Sequence, residues 1–207
     1  MLCSLPVNRY NVRVTMFKGG TGMIPNYRYL VLASLFALLT AVGAFLRVPF
    51  PLVPLSLQTF MVLLSGLLLG SRYGSFSQLI YLAMGLLGLP VFAGGGGIHY
   101  IFHPTFGFLA GFLPGAYLAG RSRLCRTEKV ISYIYPCLLG TSAIYLCGIT
   151  YLYLNLNYIA GKEVGFMQTL KIGMLPFLAG DLFKILGASF LASRIIPALR
   201  SRGFISP

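Results

Sequence analysis

Residues 73–120 read YGSFSQLIYLAMGLLGLPVFAGGGGIHYIFHPTFGFLAGFLPGAYLAG, forty-eight positions without one Lys, Arg, Asp or Glu. A membrane-spanning helix takes roughly 17 to 25 residues, so this run holds two crossings rather than one. Gly88, Leu89 and Pro90, followed by the four glycines Gly94 to Gly97, mark the break between them, because Gly and Pro are the strongest local interruptions of regular structure. Outward from this run lie further uncharged stretches of 24 residues (Val48 to Ser71), 18 (Tyr29 to Leu46) and 32 (Val130 to Gly161). A last apolar stretch, about Pro176 to Pro197, is interrupted by Asp181, Lys184 and Arg194. The expectation is an all-α integral membrane protein with six crossings at about 28–46, 56–71, 74–89, 104–120, 130–154 and 176–196.

Composition agrees. Of 207 residues only 9% are charged and 57% are hydrophobic, whereas a water-soluble domain carries about 25% charged residues. The 16 Lys and Arg against 3 Asp and Glu give a net charge of +13. These cations punctuate the apolar runs instead of gathering on one element, which excludes a nucleic-acid-binding surface. With both termini cytoplasmic, twelve cations fall on the inner side (Arg9, Arg13, Lys18, Arg28, Arg72, Arg121, Arg123, Arg126, Lys129, Arg194, Arg200 and Arg202) and three on the outer (Arg47, Lys162 and Lys171). That asymmetry is the positive-inside pattern of a multi-pass protein. The organisation expected is a cytoplasmic N-terminal extension over 1–27, a membrane domain over 28–200 and a cytoplasmic tail over 201–207.

The second to fourth crossings are short for a 30 Å hydrocarbon core, so their outer ends need cover. The outer connections, Val48 to Leu55 with Pro49, Pro51 and Pro54, and Pro90 to His103, are apolar enough to fold back into the bundle. Irregular backbone at membrane depth is tolerated only where protein buries it or it lines a cavity, which makes these loops binding-site candidates. Asp181 and Lys184 stand three apart on one face of the last helix among Leu, Phe, Ile, Ala and Gly. A charge at a helix centre costs roughly 2.5 to 3.5 kcal/mol on insertion scales, so intramembrane ionisable residues mark function. Together they offer a polar ligand one acceptor and one donor.

Two small-residue stripes at spacing four, Ala33, Ala37 and Ala41 on the first helix and Gly107, Gly111, Gly115 and Ala119 on the fourth, allow close helix contact. Spacing alone does not distinguish internal packing from a partner interface. Gly115 to Ser122 nearly spells a phosphate-binding loop, but it has Arg where the Lys belongs and no preceding strand. His99 and His103 have HxxxH spacing without a Glu between them or an evident third ligand, so no metal site is expected. The cysteines, Cys3, Cys125, Cys137 and Cys147, form neither a CxxC motif nor a disulfide framework.

Four segments resemble, in order, the motifs of the BioY family, the biotin-specific S components of energy-coupling factor transporters. They are Leu57-Gln58-Thr59-Phe60 with Leu63 to Gly70, Gly85 to Gly94, Pro104 to Gly107 with Gly111, and Pro176-Phe-Leu-Ala-Gly-Asp181-Leu-Phe-Lys184. The resemblance implies a six-helix S component in a bacterial cell membrane that captures biotin outside and delivers it inward without performing chemistry. Its implied partners are a transmembrane T component and ATP-binding A subunits, with Ala33, Ala37 and Ala41 as docking candidates for T. One departure is clear: the family commonly shows Gly-Pro-Thr/Ser-Gly-Gly-Tyr where this chain has His103-Pro104-Thr105-Phe106-Gly107-Phe108. A tyrosine hydroxyl is lost, and the pocket is expected to be more apolar there.

Biotin offers two ureido N–H groups, one carbonyl, an apolar bicycle and a carboxylate tail. Asp181 matches the N–H groups, and Lys184 matches either the ureido oxygen or the tail. Backbone near Gly95 and Gly96 and the rings of Phe92 and Tyr100 are expected against the bicycle, with Gly107 nearby. No cofactor or metal is expected, biotin being cargo. The alternatives are an S component for another vitamin, a carrier without ATPase partners, and an integral-membrane transferase, the last disfavoured by the shortage of acids, bases and metal ligands.

Overall fold

The computed structural model describes residues 27–48, 55–121, 130–161 and 164–201. Seven α-helices account for most of them: α1 (Tyr27–Phe45), α2 (Gln58–Leu69), α3 (Ser71–Leu86), α4 (Phe106–Gly120), α5 (Ile131–Leu154), α6 (Phe166–Gly173) and α7 (Leu175–Ser201). A two-residue antiparallel ladder, β1 (Arg47–Val48) on β2 (Leu55–Ser56), joins α1 to α2. The six expected crossings correspond to α1 to α5 and α7, and α1, α5 and α7 are each long and apolar enough to span a bilayer. The proline-bearing stretch of the first outer loop, the basic α4–α5 connection and both terminal segments lie outside the described residues.

Apolar surroundings force these runs into helices, since hydrocarbon offers no partner for backbone N–H and C=O groups. Consequently prolines sit inside α4 (Pro114), α5 (Pro136) and α7 (Pro197). The last crossing therefore runs five residues beyond the expected 196, because Pro197 does not end it. Between α2 and α3 the chain reverses at one residue, Gly70, whose φ of 84° is left-handed and suits a residue lacking Cβ.

α6 is the element that hydropathy did not anticipate. Thr169 and Gly173, a turn apart, are buried, while Phe166, Met167 and Lys171 are exposed. Lys171, expected in a loop, thus lies in a helix. The helix rests on α5 through Gly173 against Leu152 and through a Phe166–Tyr153 ring contact.

Both small-residue stripes face inward. Ala33 and Ala37 have 0% exposure and Ala41 has 6%, and they join the buried clusters shared with α2 and α3. This corrects their expected place on a docking surface: in this conformation the outward face of α1 carries Val31, Leu32, Leu35, Leu38 and Val42. Small side chains are used here to let α1 approach its own neighbours. The α4 stripe does the same against α5, where Gly111 meets the backbone of Ile144 and Gly115 its side chain.

A buried polar cluster registers the first three helices. The hydroxyls of Thr40, Ser65 and Ser77 each donate to a carbonyl of their own helix, leaving their lone pairs to the Gln78 amide at 3.4, 3.1 and 3.0 Å. Close packing also makes a test. A Cβ on Gly66 would lie 2.4 Å from the Ala116 carbonyl oxygen, whereas one on Gly165 meets nothing within 4 Å. Gly66→Val should destabilise the protein by about 1–3 kcal/mol, read as a lower thermal midpoint in detergent, and Gly165→Ala should leave the midpoint unchanged.

Candidate functional site

Asp181 lies six residues into α7, about 9 Å below its first residue at the 1.5 Å helical rise. It and Lys184 are 7% and 8% exposed, so neither faces lipid. Their i,i+3 spacing brings Nζ to 2.7 Å from Oδ1, and the other carboxylate oxygen, Oδ2, accepts from the Tyr145 hydroxyl of α5. Each carboxylate oxygen therefore has a donor, as a buried anion requires. The lysine keeps two N–H groups and the carboxylate keeps further lone pairs.

These residues form one side of a cavity with an empty volume of about 610 Å³, mouth included. Opposite them stand Ser56, Gln58 and Thr59 at the start of α2. The connection between α3 and α4 contributes Ala93, Tyr100 and Thr105, and Phe108, Leu109 and Phe112 of α4 make the apolar floor with Ile144 and Phe177. A few polar groups converging in an otherwise apolar cleft is the usual make-up of a small-molecule site.

Hydrogen bonds fix the polar wall before any ligand arrives. Ser56 donates to Gln58 Oε1 at 3.0 Å, the Gln58 amide donates to the Tyr81 hydroxyl, and Tyr81 donates to the Val91 carbonyl at 3.0 Å. This order orients the amide and leaves Gln58 one N–H. On the other wall, His103 Nδ1 stands 2.7 Å from Thr105 Oγ1 and receives the Thr105 backbone N–H at 3.4 Å. Because a backbone N–H only donates, Nδ1 is an acceptor, and the neutral ring carries its proton on Nε2. Thr105 then donates to His103 and accepts from Tyr100, 3.1 Å away, whose ring stacks on the imidazole at 4.7 Å. Burial holds the His103 pKa below its ordinary value.

The outer connection is tied down from α5. Tyr151 donates to the Ile101 carbonyl and Asn155, at the π-helical end Asn155–Ile159, donates to the Phe102 carbonyl at 2.7 Å. The 3-10 turn Ile98–Phe102 that carries Tyr100 is thereby fixed over the cavity.

Of the residues expected from sequence, Asp181, Lys184 and Tyr100 meet at the cavity wall. Phe92, Gly95, Gly96 and Gly107 do not. Phe92 is a layer behind, its ring 4.8 Å from Tyr100 and 5.5 Å from Tyr81, because glycine at position 85 leaves it a niche. Gly95 closes a tight turn with Phe92, and a Cβ on Gly96 would strike the Leu89 carbonyl at 2.0 Å. Gly107 receives Tyr151 of α5 at a distance no Cβ would permit. These glycines shape the loop and the α4–α5 contact. The near phosphate-binding motif is dissolved as well, since Gly115 to Gly120 are helical.

Gln58, Thr105 and Tyr145 are wall residues that sequence reasoning passed over. Gln58 had a signal, an amide opening an apolar run. Tyr145 is one of 13 tyrosines and had none, because its partner lies 36 positions away.

Comparison with known proteins gives a concordant result. The BioY family model matches residues 14–201, beginning inside the stretch read as an N-terminal extension. The chain is 40% identical over 174 residues to a probable biotin transporter BioY of Lysinibacillus sphaericus, covering 83% of this chain and 88% of that one. It is 34% identical over 169 residues to the biotin transporter BioY of Thermotoga maritima, covering 81% and 95%. Among solved structures, the S component for biotin from an ECF-type ABC transporter superposes with a TM-score of 0.74 at 24% identity, over 86% of this chain and 95% of that one, which gives the fold. With its apolar helices and a family match over most of its length, the chain is a multi-pass membrane protein and belongs to the BioY family.

Proposed function

We propose that the protein is a biotin-binding S component, capturing biotin from the outer side of the cell membrane for inward transport. The observation that carries this reading is the buried Asp181–Lys184 couple in the wall of a mostly apolar cavity. Asp181 accepts from the ureido N–H groups. Lys184 has donors to spare for the ureido oxygen or the carboxylate tail, and Gln58 adds one N–H on the facing wall. The bicycle packs on Tyr100 and Phe112, and Phe108 keeps apolar the place where relatives were expected to carry a tyrosine. Nothing in this set is arranged as nucleophile and base, and transporters are what the relatives' names describe.

Both termini lie in the cytoplasm on this reading, which follows from the twelve-to-three division of cations. Transport is driven by a T component and ATP-binding A subunits. In the present conformation α1 offers such a partner its outward Val and Leu face, the alanines being buried.

Equilibrium binding to the purified full-length protein, with riboflavin and thiamine as controls, tests the assignment. Saturable biotin binding at micromolar concentration or below is expected, and its absence, or preference for a control vitamin, refutes the reading. Asp181→Asn and Lys184→Ala should each weaken biotin binding by roughly a hundredfold, since each leaves a buried charge unpaired. Binding should also be flat above the ordinary histidine pKa of about 6.5 and decline below it. The sign follows from the depressed folded value: as pH falls from that ordinary value through the lowered one, His103 gains a second N–H, and Thr105 loses its acceptor. His103→Gln should flatten the acid limb of the binding profile.

A further inference from the structure

We propose that Tyr145 is an occupancy switch: in the empty site its phenol holds the Asp181 oxygen that a ligand N–H takes, and ligand binding drives the ring sideways into the cleft between α5 and α7. The inference rests on the biotin-binding reading above and specifies how the site opens.

A ligand N–H aimed at Asp181 Oδ2 meets an acceptor already occupied, since the Tyr145 phenol donates there. Two residues, Tyr145 and Asp181, line both the central cavity and the lateral one. Asp181 is held by Lys184 on its own helix. Tyr145 is held at its tip by the hydroxyl bond to Oδ2, and that tip bond is the one an arriving N–H donor replaces.

Behind Tyr145 there is somewhere to go. The α5–α7 cleft has an empty volume of about 820 Å³, mouth included, beside Leu178, Leu182 and Ile185. It also contains an unmet polar group. Thr141, 6% exposed, lines the cleft one turn before Tyr145, and its Oγ1 is buried without a hydrogen-bond partner among the described residues. Long helical side chains lie back over the preceding turn, so a phenol that leaves Asp181 is placed to bond Thr141. The exchange keeps the carboxylate satisfied in both states and gives Thr141 a partner in the full one: phenol on carboxylate when empty, ligand N–H on carboxylate and phenol on threonine when full.

The two bonds differ in strength, which fixes the expected signs. A hydrogen bond to a charged group is worth more than a neutral one, so deleting the hydroxyl stabilises the full state relative to the empty one. Tyr145→Phe should therefore bind biotin roughly fivefold more tightly. Thr141→Val, which removes only the destination, should bind several-fold more weakly with an unchanged or higher thermal midpoint in the absence of biotin. The chain contains no Trp, so tyrosine emission reports directly: a phenol bonded to a carboxylate is quenched, and biotin should raise emission in the native protein but not in Tyr145→Phe. Weaker binding by Tyr145→Phe would mean that the hydroxyl contacts the ligand, and an unchanged affinity with no emission difference would mean that the ring stays put. Either result overturns the switch while leaving biotin binding intact, whereas a native protein that binds no biotin refutes the functional reading itself. Should Tyr145→Phe fail to fold, Thr141→Val decides: native affinity in that variant overturns the proposal.

Discussion

A carboxylate and an ammonium held away from water must satisfy one another or be satisfied by their surroundings, and the upper half of this molecule is organised by that requirement. Desolvation of each ion costs several kcal/mol, repaid only with good geometry and further hydrogen bonds. Asp181 and Lys184 meet the first condition by lying three apart on α7, at 2.7 Å. Tyr145 of α5 meets the second. The pair thus acts across helices as well as along one, coupling α7 to α5 at the level of the cavity. Such a pair is poor material for stability alone, since well-packed apolar residues often do as well. It is good material for recognising a ligand with complementary polar atoms.

The rest of the fold builds a rigid frame around that pair. Glycines and alanines on α1, α2 and α4 let helices approach until backbone meets backbone, as where Gly66 faces the Ala116 carbonyl. The Gln78 cluster fixes the register of α1, α2 and α3. Helix α2, with 12 residues, reaches only about 18 Å at 1.5 Å per residue, well short of the hydrocarbon core. That shortfall leaves a recess at the outer end, which the β1–β2 ladder, the α3–α4 connection and α6 surround. Tyr151 and Asn155 anchor the connection from α5, so the residue that supports the loop and the residue that caps the carboxylate belong to one helix.

Polar wall groups in such a recess are ordered in advance by chains of donors and acceptors. Ser56, Gln58, Tyr81 and the Val91 carbonyl form one chain, and Tyr100, Thr105 and His103 another. Preorganisation of this kind lowers the entropic cost of binding a small ligand. It also places the conformational freedom elsewhere, at the boundary between the central cavity and the α5–α7 cleft.

The sequence by itself determined the membrane helices and the location of the ionic pair. Uncharged runs of known length have few options in a bilayer, and the opposite charges of Asp181 and Lys184, three apart within the final run, have to find each other. It did not reveal α6, a helix of only 8 residues that contains Gln168 and Lys171, nor the continuation of α7 through Pro197, because tertiary contacts override both short length and proline. Tertiary structure alone decided which way the alanine stripe of α1 points, that Gly107 serves the α4–α5 contact, and that Phe92 stands behind Tyr100 rather than beside the cavity. Spacing specifies which residues share a helix face; only the packing of neighbouring helices specifies what that face meets. For the same reason Tyr145, 36 residues from its carboxylate partner, was invisible until the fold brought α5 against α7.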